Sequence, residues 1–153
     1  MASIRDQIVA AAIAELNTAR PPGIPQADRT RLAAITPSEL PSIIVFPGLD
    51  QPEEVGPPAG PIVRSRFRMI VEQRAAGTAS VRPDAAVDAL YVWVIKKLAR
   101  KRLTAGGGGF LNHDTVEGET SFAFEQGDEP YALATTALIV TYQHLVADPE
   151  ARV

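Results

Sequence analysis

Cysteine is absent from this chain of 153 residues. That excludes disulfides, thiolate nucleophiles and cysteine-ligated zinc or iron–sulfur centres. Histidine is scarce, with only His113 and His144, so acid–base and metal chemistry have few starting points. No apolar run approaches the ~18 residues that a membrane-spanning helix needs. An excess of one charge is also missing: 15 Lys and Arg stand against 18 Asp and Glu, a formal net charge of −3. Such a balance gives no general attraction to nucleic acid or to an anionic membrane. No signal-peptide pattern opens the chain, because Arg5, Asp6 and Glu15 interrupt its apolar start. A soluble protein from a reducing compartment is expected.

Hydrophobic residues make up 46% and charged residues 22% of the chain, which predicts a folded globule. The length suits one domain, 1–153, with a real core. Residues 3–19 read as an amphipathic helix with Ser3 as N-cap, and Ile4, Ile8, Ala12, Ile13 and Leu16 recur at helical spacing. Pro21, Pro22 and Gly23 stop it. The stretch 27–35 fits a short strand or a helical turn. Residues 42–46 are a β-branched run between prolines and predict a strand. Residues 47–61, rich in proline, glycine and acids, read as a long exposed loop.

The clearest element is a strand over 62–74. Val63, Ser65, Phe67, Met69 and Val71 alternate with Arg64, Arg66, Arg68, Ile70 and Glu72, as in a half-buried antiparallel strand. A second helix is expected over 83–103. Asp84 and Asp88 lie near its positive end and Lys96, Lys97, Arg100, Lys101 and Arg102 near its negative end. A glycine run at 106–109, a strand or hairpin within 110–124, a polar turn at 126–130 and a last strand over 131–146 complete the chain. The expected fold is α+β: a mostly antiparallel sheet of about four strands, two helices on one face, and long loops.

Catalytic patterns are sparse. A phosphate loop needs a strand before its glycines and a helix after them. Here the glycines follow a helix and precede a strand. His113 and Asp114, with Glu117 and Glu119 nearby, hint at a metal or acid–base site. The remaining ligand would have to be His144 from another element, and solvated turn residues are the plainer explanation. No Gly-x-Ser-x-Gly elbow or Ser-x-x-Lys pair occurs. The chain is therefore expected not to be an enzyme and to need no cofactor or metal. Arg64, Arg66 and Arg68 are more informative. They recur about every 7 Å along one strand face. They are either a solvated face that discourages edge pairing or a contact for a partner's carboxylates, which arginine binds bidentately.

The order of pieces resembles a known family. An N-terminal helix precedes Leu-Pro-Ser-Ile-Ile-Val-Phe at 40–46 and a long charged loop. The strand Arg-Ser-Arg-Phe-Arg-Met-Ile-Val-Glu at 64–72 follows, then a helix with Val87-Asp88-Ala89-Leu90. A final strand reads Ala-Leu-Ile-Val-Thr-Tyr at 137–142, before Asp148-Pro149. This resembles the tail-terminator proteins of tailed bacteriophages, and more broadly their tail-completion and minor tail proteins.

The resemblance implies a structural virion protein made in the host cytoplasm. It would form a ring, hexameric in the family, that caps the tail tube, ends its polymerisation and joins it to the neck. Implied partners are further copies of the chain, the tail tube protein, a head-side connector or stopper and the sheath protein; DNA would only pass through the lumen, and no membrane is involved. Two docking arms are implied: 47–61, with Glu53 and Glu54, and 106–114, with Gly107, Gly108, His113 and Asp114. Arg64, Arg66 and Arg68 become candidate inter-subunit or tube-facing residues. A head-completion or stopper protein is the alternative within the same class, and a small ligand-binding domain or enzyme is the alternative outside it.

Overall fold

A computed structural model describes residues 2–29, 35–56, 60–105, 108–125, 130–148 and 150. Helix α1 spans Ile4–Leu16. Strand β1 spans Ala27–Arg29, and a single 3₁₀ turn covers Pro37–Glu39. Strands β2 (Ser42–Glu54) and β3 (Ile62–Ala76) precede helix α2 (Pro83–Leu98). Strands β4 (Asp114–Glu125) and β5 (Tyr131–Leu145) follow. The strands form one sheet in the order β1-β2-β3-β5-β4. Only β1 and β2 run parallel; the other pairs are antiparallel. The α+β class is as expected, with a fifth strand, β1, in the stretch that fitted either a strand or a turn.

Both helices pack on one side of the sheet. Every second residue of β3 from Ser65 to Ala75 is buried there, and so are Ala132, Ala134, Thr136, Leu138, Val140 and Tyr142 of β5. In α1 the buried Ile4, Ile8, Ala12 and Leu16 recur every four residues, joined by Val9. In α2 the stripe is Val87, Leu90, Val94 and Leu98. Fully burying a side chain of this size stabilises the fold by roughly 1.5–3 kcal/mol, so these stripes hold the helices to the sheet.

Polar groups close the ends. The Ser3 hydroxyl accepts from the Asp6 amide at 3.2 Å and caps α1. The Trp93 indole donates to the Leu16 carbonyl at 3.3 Å, so α2 satisfies one of the four free carbonyls that end α1. Asn17 clamps β1: its amide donates to the Ala27 carbonyl at 3.1 Å and its side-chain oxygen accepts from the Ala27 amide at 2.7 Å. That reciprocal pair imitates one rung of a β-ladder and fixes a strand of three residues.

Two expectations are corrected. The 47–61 loop is largely strand, because β2 continues across Pro47 and Gly48 to Glu54 through a bulge between Pro47 and Asp50. Proline is tolerated there because, among the described residues, β1 pairs with β2 at Ile43 to Val45 and no strand pairs with that side of β2 at Pro47. Gly48 lies so close to β3 that a Cβ would stand 2.9 Å from the Arg68 carbonyl. Helix α2 ends at Leu98, not at 103. Arg100 takes a φ of 62° and its amide donates to the Thr115 carbonyl at 2.7 Å, so the chain turns toward β4. Lys96 and Lys97 alone sit in the last helical turn. Within 110–124, read as a strand or hairpin, the strand holds: β4 runs from Asp114 to Glu125 and pairs with β5.

Asn112 fixes that turn. It is 3% exposed. Its side-chain oxygen accepts from the Leu103 amide at 2.6 Å, and its amide donates to the Lys101 carbonyl at 3.2 Å and to the Thr115 hydroxyl at 2.9 Å. Asn112→Ala is expected to destabilise the protein by about 2–3 kcal/mol, since buried backbone groups lose their partners. Urea unfolding of the two proteins measures this directly.

Candidate assembly interface

Among the described residues, the face of the sheet opposite the helices carries no helix of its own. Arg64, Arg66 and Arg68 all lie on it: Arg64 is half-buried, and Arg66 and Arg68 are exposed. No carboxylate among the described residues forms an ion pair with any of the three. Further along β3 the same face carries Ile70 and the ion pair Arg74–Glu72 at 3.2 Å. Half-buried Leu133 and Ile139 of β5 flank the row.

The strand register brings several predicted residues to one end of this sheet. Glu53 stands directly opposite Arg64 across β2 and β3, and Glu54 opposite Val63. Arg66 is opposite Thr141 of β5, and Thr141 is opposite Asp114 of β4. His113 precedes Asp114, is exposed, and donates its backbone amide to the Thr141 carbonyl at 2.7 Å. Asp114 pairs with Arg100 at 3.6 Å. Gly108 is exposed, with a φ of 81°; Gly107 lies outside the described residues. The chain then enters β4, so no helix follows the glycines.

The two histidines do not form a joint site. His144 lies beside Tyr142, with ring centroids 5.9 Å apart, and its Nδ1 is 2.9 Å from the Leu145 carbonyl. His113 stands at the start of β4, whose first rung is Asp114 against Thr141. Among the described residues no three His, Asp or Glu side chains gather as metal ligands. A cleft of about 710 Å³ lies between the 3₁₀ turn, the end of β3 and the start of α2. The described residues that line it, Pro37, Ser38, Leu40, Ala76, Gly77, Thr78, Pro83 and Pro130, include no ionisable side chain.

One feature escaped the sequence reading: β4 is an open edge. Among the described residues it pairs with one strand only, β5, so apart from the Arg100 amide on the Thr115 carbonyl its other side has no backbone ladder. Phe122 and Phe124 on it are 57% and 50% exposed. Phe122 meets Tyr91 of α2 edge-to-face at 5.8 Å, and the Tyr91 hydroxyl donates to the Glu117 carboxylate. That hydrogen bond raises the Tyr91 pKa above its ordinary value. The i, i+2 spacing of the phenylalanines was the available signal; their exposure depended on where the helices stop.

A second polar group ties α1 to the arginine-bearing end of the sheet. The Tyr142 hydroxyl donates to Asp50 at 2.7 Å, and Arg5 reaches the same oxygen at 3.4 Å. Burial, helped by the Asp50 hydrogen bond, pushes the Tyr142 pKa up to about 12. The folded state therefore holds this proton more tightly than the unfolded chain, whose tyrosines titrate near ~10. The stability contributed by neutral Tyr142 is complete below about pH 10 and is lost as pH rises toward about 12, a loss on the order of 2 kcal/mol. Unfolding titrations at about pH 9 and about pH 11.5 should show this slope, and Tyr142→Phe should remove that part of it.

No protein-family model and no curated protein matches the chain.

Proposed function

We propose that this protein is a structural assembly subunit, and most specifically a tail terminator. Copies of it would form a ring, hexameric on the resemblance, that caps a tail tube, stops its growth and joins the tail to the neck of a virion. The observation that carries this is the unequal finish of the sheet. One face is closed by two helices, while the other face presents a row of arginines without ion pairs among the described residues, and one edge presents a long open strand with exposed phenylalanines. Monomeric proteins usually shield open edges, and an exposed apolar edge beside an uncovered charged face suits contact with another protein.

Ring formation follows physically from unlike patches. A contact between two different surfaces repeats from copy to copy, and closes when its rotation divides a full turn. The two rims of such a ring differ, so the tube protein and a head-side connector can each bind their own rim. The sheath protein would be a peripheral neighbour, and DNA would pass through the lumen. Nothing in this role requires a cofactor or a reaction.

Negative-stain microscopy of the purified protein, alone and with tail tubes, should show rings or capped tube ends. A protein that stays monomeric and leaves tubes uncapped would sink the proposal. Co-purification with a portal-side ring in place of tube protein would move the role to head completion. Phe122→Ser with Phe124→Ser should weaken assembly about tenfold or more. It should change monomer stability by less than about 1 kcal/mol, since both rings are half exposed in the monomer.

A further inference from the structure

We infer that the copies meet edge-on-face: the β4 edge of one copy packs against the Arg66–Arg68 face of the next. This rests on the proposed ring and adds the contact that builds it.

The geometry of a closed ring sets the first condition. Neighbouring copies are related by rotation alone, with no rise along the axis. Where the strands run along that axis, two patches can meet only if they lie at the same height on the sheet. The register meets this condition. Asp114 is level with Thr141, which is level with Arg66. Val116 is level with Ile139, which is level with Arg68. The acidic end of β4 therefore stands at the height of the arginine row, two strands away, or roughly 10 Å across the sheet. Copies rotated about an axis along the strands bring one patch to the other without a vertical shift.

Charge supplies the second condition. Strand β4 carries Asp114, Glu117, Glu119 and Glu125 and no Lys or Arg. Arg66 and Arg68 have no ion pair among the described residues. A strand with several carboxylates and no cation thus faces, in the next copy, a row of arginines that has no ion pair among the described residues. Bidentate pairs across that contact would be charge-assisted and partly desolvated. Further up β4, Ala123 is level with Leu133 and so with Arg74, which is paired with Glu72, while Phe122 and Phe124 are level with Ala134 and Ala132 and share the helix side of the sheet. The contact is therefore centred on the acidic start of β4 and the arginine row.

Edge-to-edge joining is the rival arrangement, and the other edge argues against it. The distal half of β2 contains Pro47 and Pro52, which remove donors; β2 and β4 each have a bulge, so the prolines and not the bulge set the two edges apart. The distal half of β2 also carries Asp50 and Glu53, which would repel the carboxylates of β4.

Charge reversal on each side tests the contact. One variant is Arg66→Glu with Arg68→Glu; the other is Glu117→Arg with Glu119→Arg. Each alone should weaken self-association about 100-fold or more, while thermal melts report that it still folds. An equimolar mixture should regain rings, because every contact then joins an acidic face to a basic edge or the natural pair, alternating around the ring. The absence of native cysteine permits a second measurement. Arg68→Cys and Val116→Cys, which stand at the same height, placed in separate chains and mixed, should cross-link to each other under mild oxidation and not each to itself. Rings that survive both reversals, with no cross-link, overturn this contact and leave the assembly role standing. A wild-type protein that forms no ring, alone or on tubes, overturns both.

Discussion

Side chains leave β3 alternately to two sides, and those sides have different neighbours. On one side Ser65, Phe67, Met69, Val71, Gln73 and Ala75 are buried beneath the two helices. On the other, Arg66 and Arg68 face outward. A slip of one residue in pairing would bury the arginines and expose the phenylalanine and methionine. Because β3 pairs along its whole length with β5, and from Val63 to Arg74 with β2 across one bulge, its alternation sets the face of the side chains on those neighbours. The helices then have one possible side to cover.

Covering one side leaves the sheet unfinished, and its margins are treated differently. The β2 margin is broken by prolines and the short strand β1. The β4 margin is long, free of proline and aromatic. An open edge is a hazard unless something occupies it. A protein that works by joining copies has use for one such edge and a reason to block the other. The polar ties around Asn112, Asn17 and Tyr142 serve the same arrangement, since each anchors a connection whose drift would shift an edge or a helix end.

Much of this was legible from residue order. The alternation of 62–74, the apolar stripes of the two helices and the turn residues between elements all report local geometry, and local geometry is written in neighbouring residues. The Arg64, Arg66 and Arg68 row was visible for the same reason. The misjudged parts depended on distant partners. Pro47 and Gly48 looked like the start of a loop, yet β3 runs beside them and holds them in a bulged strand. The basic residues after Leu98 looked helical, yet the Arg100 amide bonds to Thr115 and ends the helix. The three residues of β1 had no pattern of their own and depend on the Asn17 clamp.

By itself, then, the sequence determined the fold class and the polarity of the central strand, because periods of 2 and 3.6 residues follow from backbone geometry alone. Its lack of cysteine likewise settled which sulfur chemistry is out of reach. Tertiary structure decided which strand became the open edge and which residues stand level with one another. That Asp114 shares a height with Arg66 follows from two strand registers, and a register is set by packing between segments far apart in the chain.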